Sequence, residues 1–331
     1  MSDITLLGTW VRRFLLEYLV DQRGLSINTQ KSYRDMLIQL LPSLAKKAHK
    51  PVDKLTIEDA SADSIRAFLQ DIELIRSCSV STRNQRLAGI HALARFVGEH
   101  SPEHVQWCGQ IRLIPFKKTD EPAITALDVD EMNALLAVSK RTTPQGERDY
   151  ALILFLYNSG ARASEAAQLK ISDIDWYTNS VTILGKGKKR RSCPLWPLTL
   201  DTMKLLTDSR SSTESVFLNR TGQPMTRSGV HGLVKRLATR ACANKVSLKN
   251  KVIGPHVIRH TTATHLLRAG VDINTIRGWL GHVSLNTTNI YAEIDLETKA
   301  RALAACSVAE EQNSIVPWRE QKTLMSFLSS L

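Results

Sequence analysis

Six side chains of this 331-residue chain, Arg162, Lys186, His256, Arg259, His282 and Tyr291, could together cleave a phosphodiester. Two guanidinium groups can each grip a non-bridging oxygen bidentately, and two imidazoles can donate to the same oxygens. A tyrosine hydroxyl can attack phosphorus, and a lysine can protonate the 5′ oxygen that leaves. Every oxygen of a pentacoordinate phosphorane then has a partner, with no metal and no cofactor needed.

Taken singly, each residue has an ordinary explanation. Arg162 lies in NSGARASE (158–165), where Gly160 allows a turn after an apolar helix, so alone it reads as a solvated arginine at a helix joint. Lys186 opens KGKKRR (186–191), a polar turn that could simply be a solvated hairpin tip. HVIRH (256–260) is more specific. Pro255 suits a helix start, so His256 and Arg259, at i and i+3, share one face of the first turn. There the free N–H groups and the macrodipole favour an anion. His260 falls off that face and reads as packed. His282 follows Trp279 in WLGH as a helix C-terminal cap would, and Tyr291 in TTNIYAEI could be a core tyrosine.

The order and spacing of these motifs carry more than any one of them. Arg in G-A-R-A-S-E, Lys in G-K-G-K, then H-x-x-R-H, L-G-H and T-T-x-x-Y resemble the tyrosine recombinase (phage integrase) family. INTQKSYRDML and STRNQRLAGIHALARF resemble that family's helical core-binding domain, and the likeness covers roughly residues 5–305. One departure is Ala161, where a larger apolar residue is common. It alters packing beside Arg162 and removes no reacting group.

The resemblance implies a protein that clamps duplex DNA between two domains and forms a 3′-phosphotyrosine through Tyr291. A 5′ end of a partner duplex would then attack that link, and strands would exchange through a Holliday junction without ATP or metal. It further implies paired recombination sites, a homotetramer on DNA with room for an accessory DNA-binding factor, and work in the cytoplasm at the nucleoid. Integration, excision or transposition of a DNA element would result. A type IB topoisomerase shares this chemistry but reseals the same strand. A third reading is a DNA-binding protein that has lost catalysis; all six positions being filled counts against it.

The elements that must hold these residues are mainly helical. Apolar spacing predicts helices over 9–22, from Ser26 or Asn28 to Leu44, over 62–73, and from Ser81 to Gly98. That is a four-helix bundle over residues 1–100, which the resemblance implies is a SAM-like core-binding domain. Residues 101–122 contain Pro102, Pro115 and Pro122 with no sustained period and read as a linker. A second, α-rich domain is expected over 123–312, with a small antiparallel sheet. Its helices are expected at 129–138, 147–157, 199–208, 226–242, 256–269, 272–280, 286–292 and 296–306. VTILG (181–185) should pair with SCPLW (192–196) across the basic turn. The tail, 313–331, ends in Leu324, Phe327, Leu328 and Leu331, and could dock on a neighbouring protomer or fray.

Composition sets the partner. Residues 185–260 hold 16 Lys and Arg against Asp201, Asp208 and Glu214, an excess of +13 that leaves the rest near −1. A field concentrated in one segment attracts a polyanion, nucleic acid first of all. At the hairpin, Lys188, Lys189, Arg190 and Arg191 are candidates for backbone or minor-groove contact. Lys235, Arg236 and Arg240 share the polar side of one helix and suit phosphates or bases in the major groove. From the first domain, Lys31, Arg83 and Arg86 are further candidates. Five cysteines without a C-x-x-C pair argue against a disulfide framework and a structural zinc site. No apolar run reaches the roughly 20 residues of a membrane span, and Arg12, Arg13 and Glu17 break the only apolar stretch that could resemble a signal peptide.

Overall fold

Serines set the helix starts in the first hundred residues. Ser26, Ser61 and Ser79 accept bonds from the backbone N–H groups of Thr29, Ser64 and Thr82. These satisfy donors that the first turn of a helix leaves unpaired. They open α2 (Ile27–Ala48), α3 (Ala62–Leu74) and α4 (Val80–His100). The fourth cap is thus Ser79 rather than the expected Ser81. The computed structural model describes residues 5–119, 125–185, 187 and 189–281. In it α1 (Leu7–Arg13) runs on into a π-helical segment, Phe14–Gln22. Trp10, Phe14 and Phe96 are fully buried at the centre of this first unit, Met1–Pro122. Phe14 meets Tyr33 edge-on at 5.3 Å and Trp10 meets Phe96 edge-on at 6.2 Å, the arrangement aromatic quadrupoles favour.

The expected linker is largely part of this unit. Pro102–His104 forms a 3₁₀ turn and Val105–Arg112 forms α5. Cys108, Ile111 and Ile114 enter the core, and Trp107 Nε1 donates to the Ala60 carbonyl at 2.9 Å. Gly98 does not stop α4. It lets α5 approach: a Cβ there would lie 2.8 Å from Cys108 Cβ. The chain stays anchored further on, with Asn84 bonded to both backbone groups of Lys117 and Lys117 paired to Glu73 at 2.7 Å.

The second unit, Ala123–Leu331, is built on α7 (Pro144–Ser159), which is buried along nearly its whole apolar length. Around it stand α6 (Val129–Ala137), α8 (Ala163–Gln168), α9 (Pro197–Thr207), α10 (Arg227–Asn244), α11 (Pro255–Arg268) and α12 (Ile273–Leu280). The sheet has three antiparallel strands in the order β1 (Ile174–Asp175), β2 (Ser180–Leu184), β3 (Arg190–Pro194). The expected hairpin is there, with Val181 opposite Cys193 and Ile183 opposite Arg191. Strand β1 was invisible because two residues carry no alternation.

Helix α11, which carries HVIRH, is pinned to its neighbours by polar bonds. Thr262 Oγ1 donates to the Tyr157 carbonyl, and the Tyr157 hydroxyl meets His265 Nδ1 at 2.7 Å. Thr261 Oγ1 accepts from Leu127 N–H. The expected helices at 286–292 and 296–306, and the tail 313–331, lie outside the described residues. Among the described residues no helix is long and apolar enough to cross a membrane.

Candidate functional site

The joint between α7 and α8 organises the site. Helix α7 ends on Gly160 in the left-handed region, φ +59°, where a Cβ would stand 2.4 Å from Leu280 Cδ2. Only glycine fits both the backbone and the space. Asn158, two residues earlier, accepts from Trp196 N–H and donates to the Pro194 carbonyl, while its own carbonyl accepts from Trp279 Nε1. The joint therefore touches the end of β3 and the last turn of α12.

Arg162 stands at the N-cap of α8, 29% exposed at the side chain, with Nη1 2.7 Å from Glu165 Oε1. Its backbone N–H donates to the other oxygen of the same carboxylate at 2.9 Å. Arg259, one turn into α11, is 3% exposed. Its Nη1 donates to the Gly160 carbonyl and its Nη2 to the Leu280 carbonyl, both at 2.6 Å. Those are orphan carbonyls at two helix C-termini, where a cation is favoured. His256 is exposed on the first turn of the same helix, whereas Arg259, expected to project from the same face, is turned into the protein. Together with Arg162, Ser164, Arg227, His231 and Pro255 it lines a cleft of about 70 Å³.

The cleft is electropositive. Partial desolvation of its ring lowers the His256 pKa below its ordinary value, and the charges of Arg259, His231, Arg162 and Arg227 lower it further. His260, half-buried as expected, is lowered by burial and then by His256 and Arg259. Cations gathered around a helix N-terminus without enough local counter-charge are arranged for an anion. Arg227 and His231 were missed in the sequence. Their signal was present, at i and i+4 on the first turns of a helix already singled out for its basic face.

Glu165 is the second omission. Burial alone would raise its carboxyl, but the hydrogen bond and charge of Arg191, with the bonds from Arg162, hold it down at about 2. It is therefore ionised and accepts from both arginines: Arg191 Nη2 lies 2.7 Å from its Oε2. A Cβ on Gly185, at the base of the basic turn, would stand 3.4 Å from Glu165 Oε1. Lys186 and Lys188 in that turn, and His282 and Tyr291 further on, lie outside the described residues.

The expected DNA-contact residues divide. Lys31, Lys189, Arg190, Lys235 and Arg240 are exposed. Arg236 is 42% exposed and pairs with Asp149 at 2.9 Å, a carboxylate it shares with Arg148. Arg191 and Arg83 are corrections. Arg191, 8% exposed at the side chain, faces inward with Cys193 because strand residues alternate. Arg83 is 6% exposed and donates to the Pro115 carbonyl at 2.8 Å. It belongs to the buried stripe of α4 with Leu87, Ile90, Ala94 and Val97. Arg86 is half-buried, and its Nε is enclosed without a partner among the described residues.

Comparison with known proteins gives the family. The sequence model of the phage integrase family matches residues 125–297, and that of the phage integrase N-terminal SAM-like domain matches residues 12–99. Protein y4rC of Sinorhizobium fredii (strain NBRC 101917 / NGR234), whose name assigns it to the integrases and recombinases, is 35% identical over the whole of both chains. Tyrosine recombinase XerC of Oceanobacillus iheyensis is 33% identical over 84% of this chain and 90% of its own. Among solved structures, the Tn1549 transposon integrase in complex with a circular intermediate DNA superposes with a TM-score of 0.71 at 16% identity, covering 91% of this chain and 99% of that one.

Proposed function

The chain belongs to the phage integrase family and is a site-specific DNA recombinase of the tyrosine type, and from that premise we propose how it breaks and rejoins DNA. Arg162 and His256 hold the scissile phosphate in the cleft at the start of α11, with Arg259 supporting its charge from the turn beneath. Tyr291 attacks phosphorus, a phenol oxygen–phosphorus bond forms, and the bond to the 5′ oxygen breaks. Lys186 protonates that oxygen and His282 donates to the phosphate. The product is a 3′-phosphotyrosine and a free 5′-hydroxyl.

The observation that carries this reading is the convergence of Arg162 and His256 on one cleft at a helix N-terminus, although 94 residues separate them in the chain. The energy of the broken diester is kept in the new one, so reversal by a partner strand needs neither ATP nor a metal. Two duplexes carry four cleavage points, hence four protomers on paired sites, with an accessory DNA-binding factor free to set direction. A relative named for a transposon supports movement of a DNA element as the outcome. Residues 1–100 would form the core-binding module and the second unit the cleaving one, with the tail 313–331 docking on a neighbour.

The test is a duplex nicked beside the scissile phosphate, so that the cleaved strand's short end diffuses away and traps the intermediate. The native protein should form a covalent adduct. Tyr291→Phe should form none while binding the duplex with unchanged affinity. An adduct from the Phe variant would overturn the assignment of the nucleophile.

A further inference from the structure

Arg191 is the side chain whose surroundings the recombination reading does not use. It was expected at the DNA, and it is buried instead. Three parts of the second unit meet on it. Its Nη2 binds Glu165 at 2.7 Å, and Glu165 in turn binds Arg162 through both backbone and side chain. Its Nε donates to the Trp279 carbonyl at 2.9 Å, in the last turn of α12. Its Cδ packs on the turn that follows: a Cβ on Gly281 (φ +65°) would lie 3.1 Å from it. It stands on β3 one residue after Arg190, which pairs with Leu184 at the foot of the turn carrying Lys186.

We propose that Arg191 is a positioning residue that sets Arg162 through Glu165 and ties the hairpin bearing Lys186 to the α12 end that precedes His282. The planar guanidinium suits this because its donors point in fixed, divergent directions, and one fork can satisfy a carboxylate and a carbonyl together. A lysine supplies one movable ammonium whose donors all leave a single nitrogen, so it holds the carboxylate and the carbonyl in place less firmly. Glu165 without Arg191 would still accept from Arg162 through both oxygens, but Oε2 would lose its charged partner and the tie to β3, so the carboxylate and Arg162 could shift together away from the phosphate.

This inference rests on the recombinase reading of the cleft, so the experiment separates the two. Arg191→Lys and Arg191→Ala are compared with the native protein on two nicked duplexes. One has an ordinary scissile diester; in the other a methyl group replaces one non-bridging oxygen, which removes the charge that Arg162 would neutralise. Binding, its salt slope and adduct formation are all measured.

We expect both variants to bind with native affinity and native salt slope. On the diester Arg191→Ala should cleave about 100-fold more slowly, the cost of a small misplacement of a reacting group, and Arg191→Lys should fall between it and the native rate. On the methylphosphonate the loss for each variant relative to the native protein should shrink by about tenfold or more. Loss of the same factor on both substrates, or a native rate on the diester, overturns the proposal, because a general loosening of the fold does not sense the phosphate's charge. A shallower salt slope overturns it in favour of direct DNA contact. If Arg191→Ala fails to fold, Arg191→Lys alone decides by the same ratio. Absence of an adduct from the native protein would instead refute the reading of the cleft itself.

Discussion

The chemistry of the cleft is set by how few counter-charges face its cations. His256 is held below its ordinary pKa by partial desolvation of its ring and by neighbouring arginines, so it is neutral in the free protein near pH 7. A phosphate placed in the cleft favours the charged ring and raises that pKa. Between the two values, binding takes up a proton, so affinity should rise as pH falls from near neutrality through the region below 6.5. Calorimetry in buffers of different ionisation enthalpy would measure the uptake, and His256→Gln should lose it; an unchanged uptake in that variant would move the effect to His231 or His260. In the free protein the sign is opposite. A histidine whose folded pKa lies below its unfolded value weakens the fold as pH drops below 6.5. Half of the six proposed residues, Arg162, His256 and Arg259, lie among the described residues, and each sits in a local pattern that a chain shows on its face. Glu165 was not singled out, although a glutamate three residues after an N-cap is a recognised start signal.

Helices and strands explain why two basic residues were misread. Arg191, Cys193 and Leu195 alternate, and burying Cys193 and Leu195 obliges Arg191 to point the same way. Arg83 precedes Leu87 by one helical turn and shares its stripe. Charge suggested solvent and periodicity suggested the core; periodicity prevailed because each guanidinium found oxygen partners inside. Residues 101–122 were read as a linker because a short helix behind a proline shows little period, yet α5 covers the flank of α4. Gly98 makes that possible, and Gly98→Ala should cost about 1–3 kcal/mol by forcing the two helices apart. Urea unfolding of the first unit alone would report it, since that unit has its own core; an unchanged midpoint would mean that α5 shifts freely.

Across the whole chain the net positive charge comes from one stretch of the second unit, and that placement makes affinity for DNA a matter of counterions. Each phosphate neutralised should contribute about −0.9 to the slope of log K against log salt. Lys235→Ala and Arg240→Ala, both on exposed positions of α10, should each flatten the slope by about that amount. Arg83→Met should leave the slope alone while lowering the unfolding midpoint. A slope insensitive to both α10 variants would place the phosphates on another face. The division into two units and the helical class could be read from apolar spacing and composition. What could not be read was which charges turn inward, because that depends on partners far away in sequence. The thiols illustrate a practical side of the same burial. Cys193 is enclosed and its pKa pushed up to about 12, chiefly by burial, and Cys108 is buried, whereas Cys78 and Cys242 are partly open, one in each unit. With Cys306 changed to serine, maleimide dyes therefore have two native handles, and energy transfer between them, with and without duplex DNA, would measure the distance between the two units with no engineered attachment point.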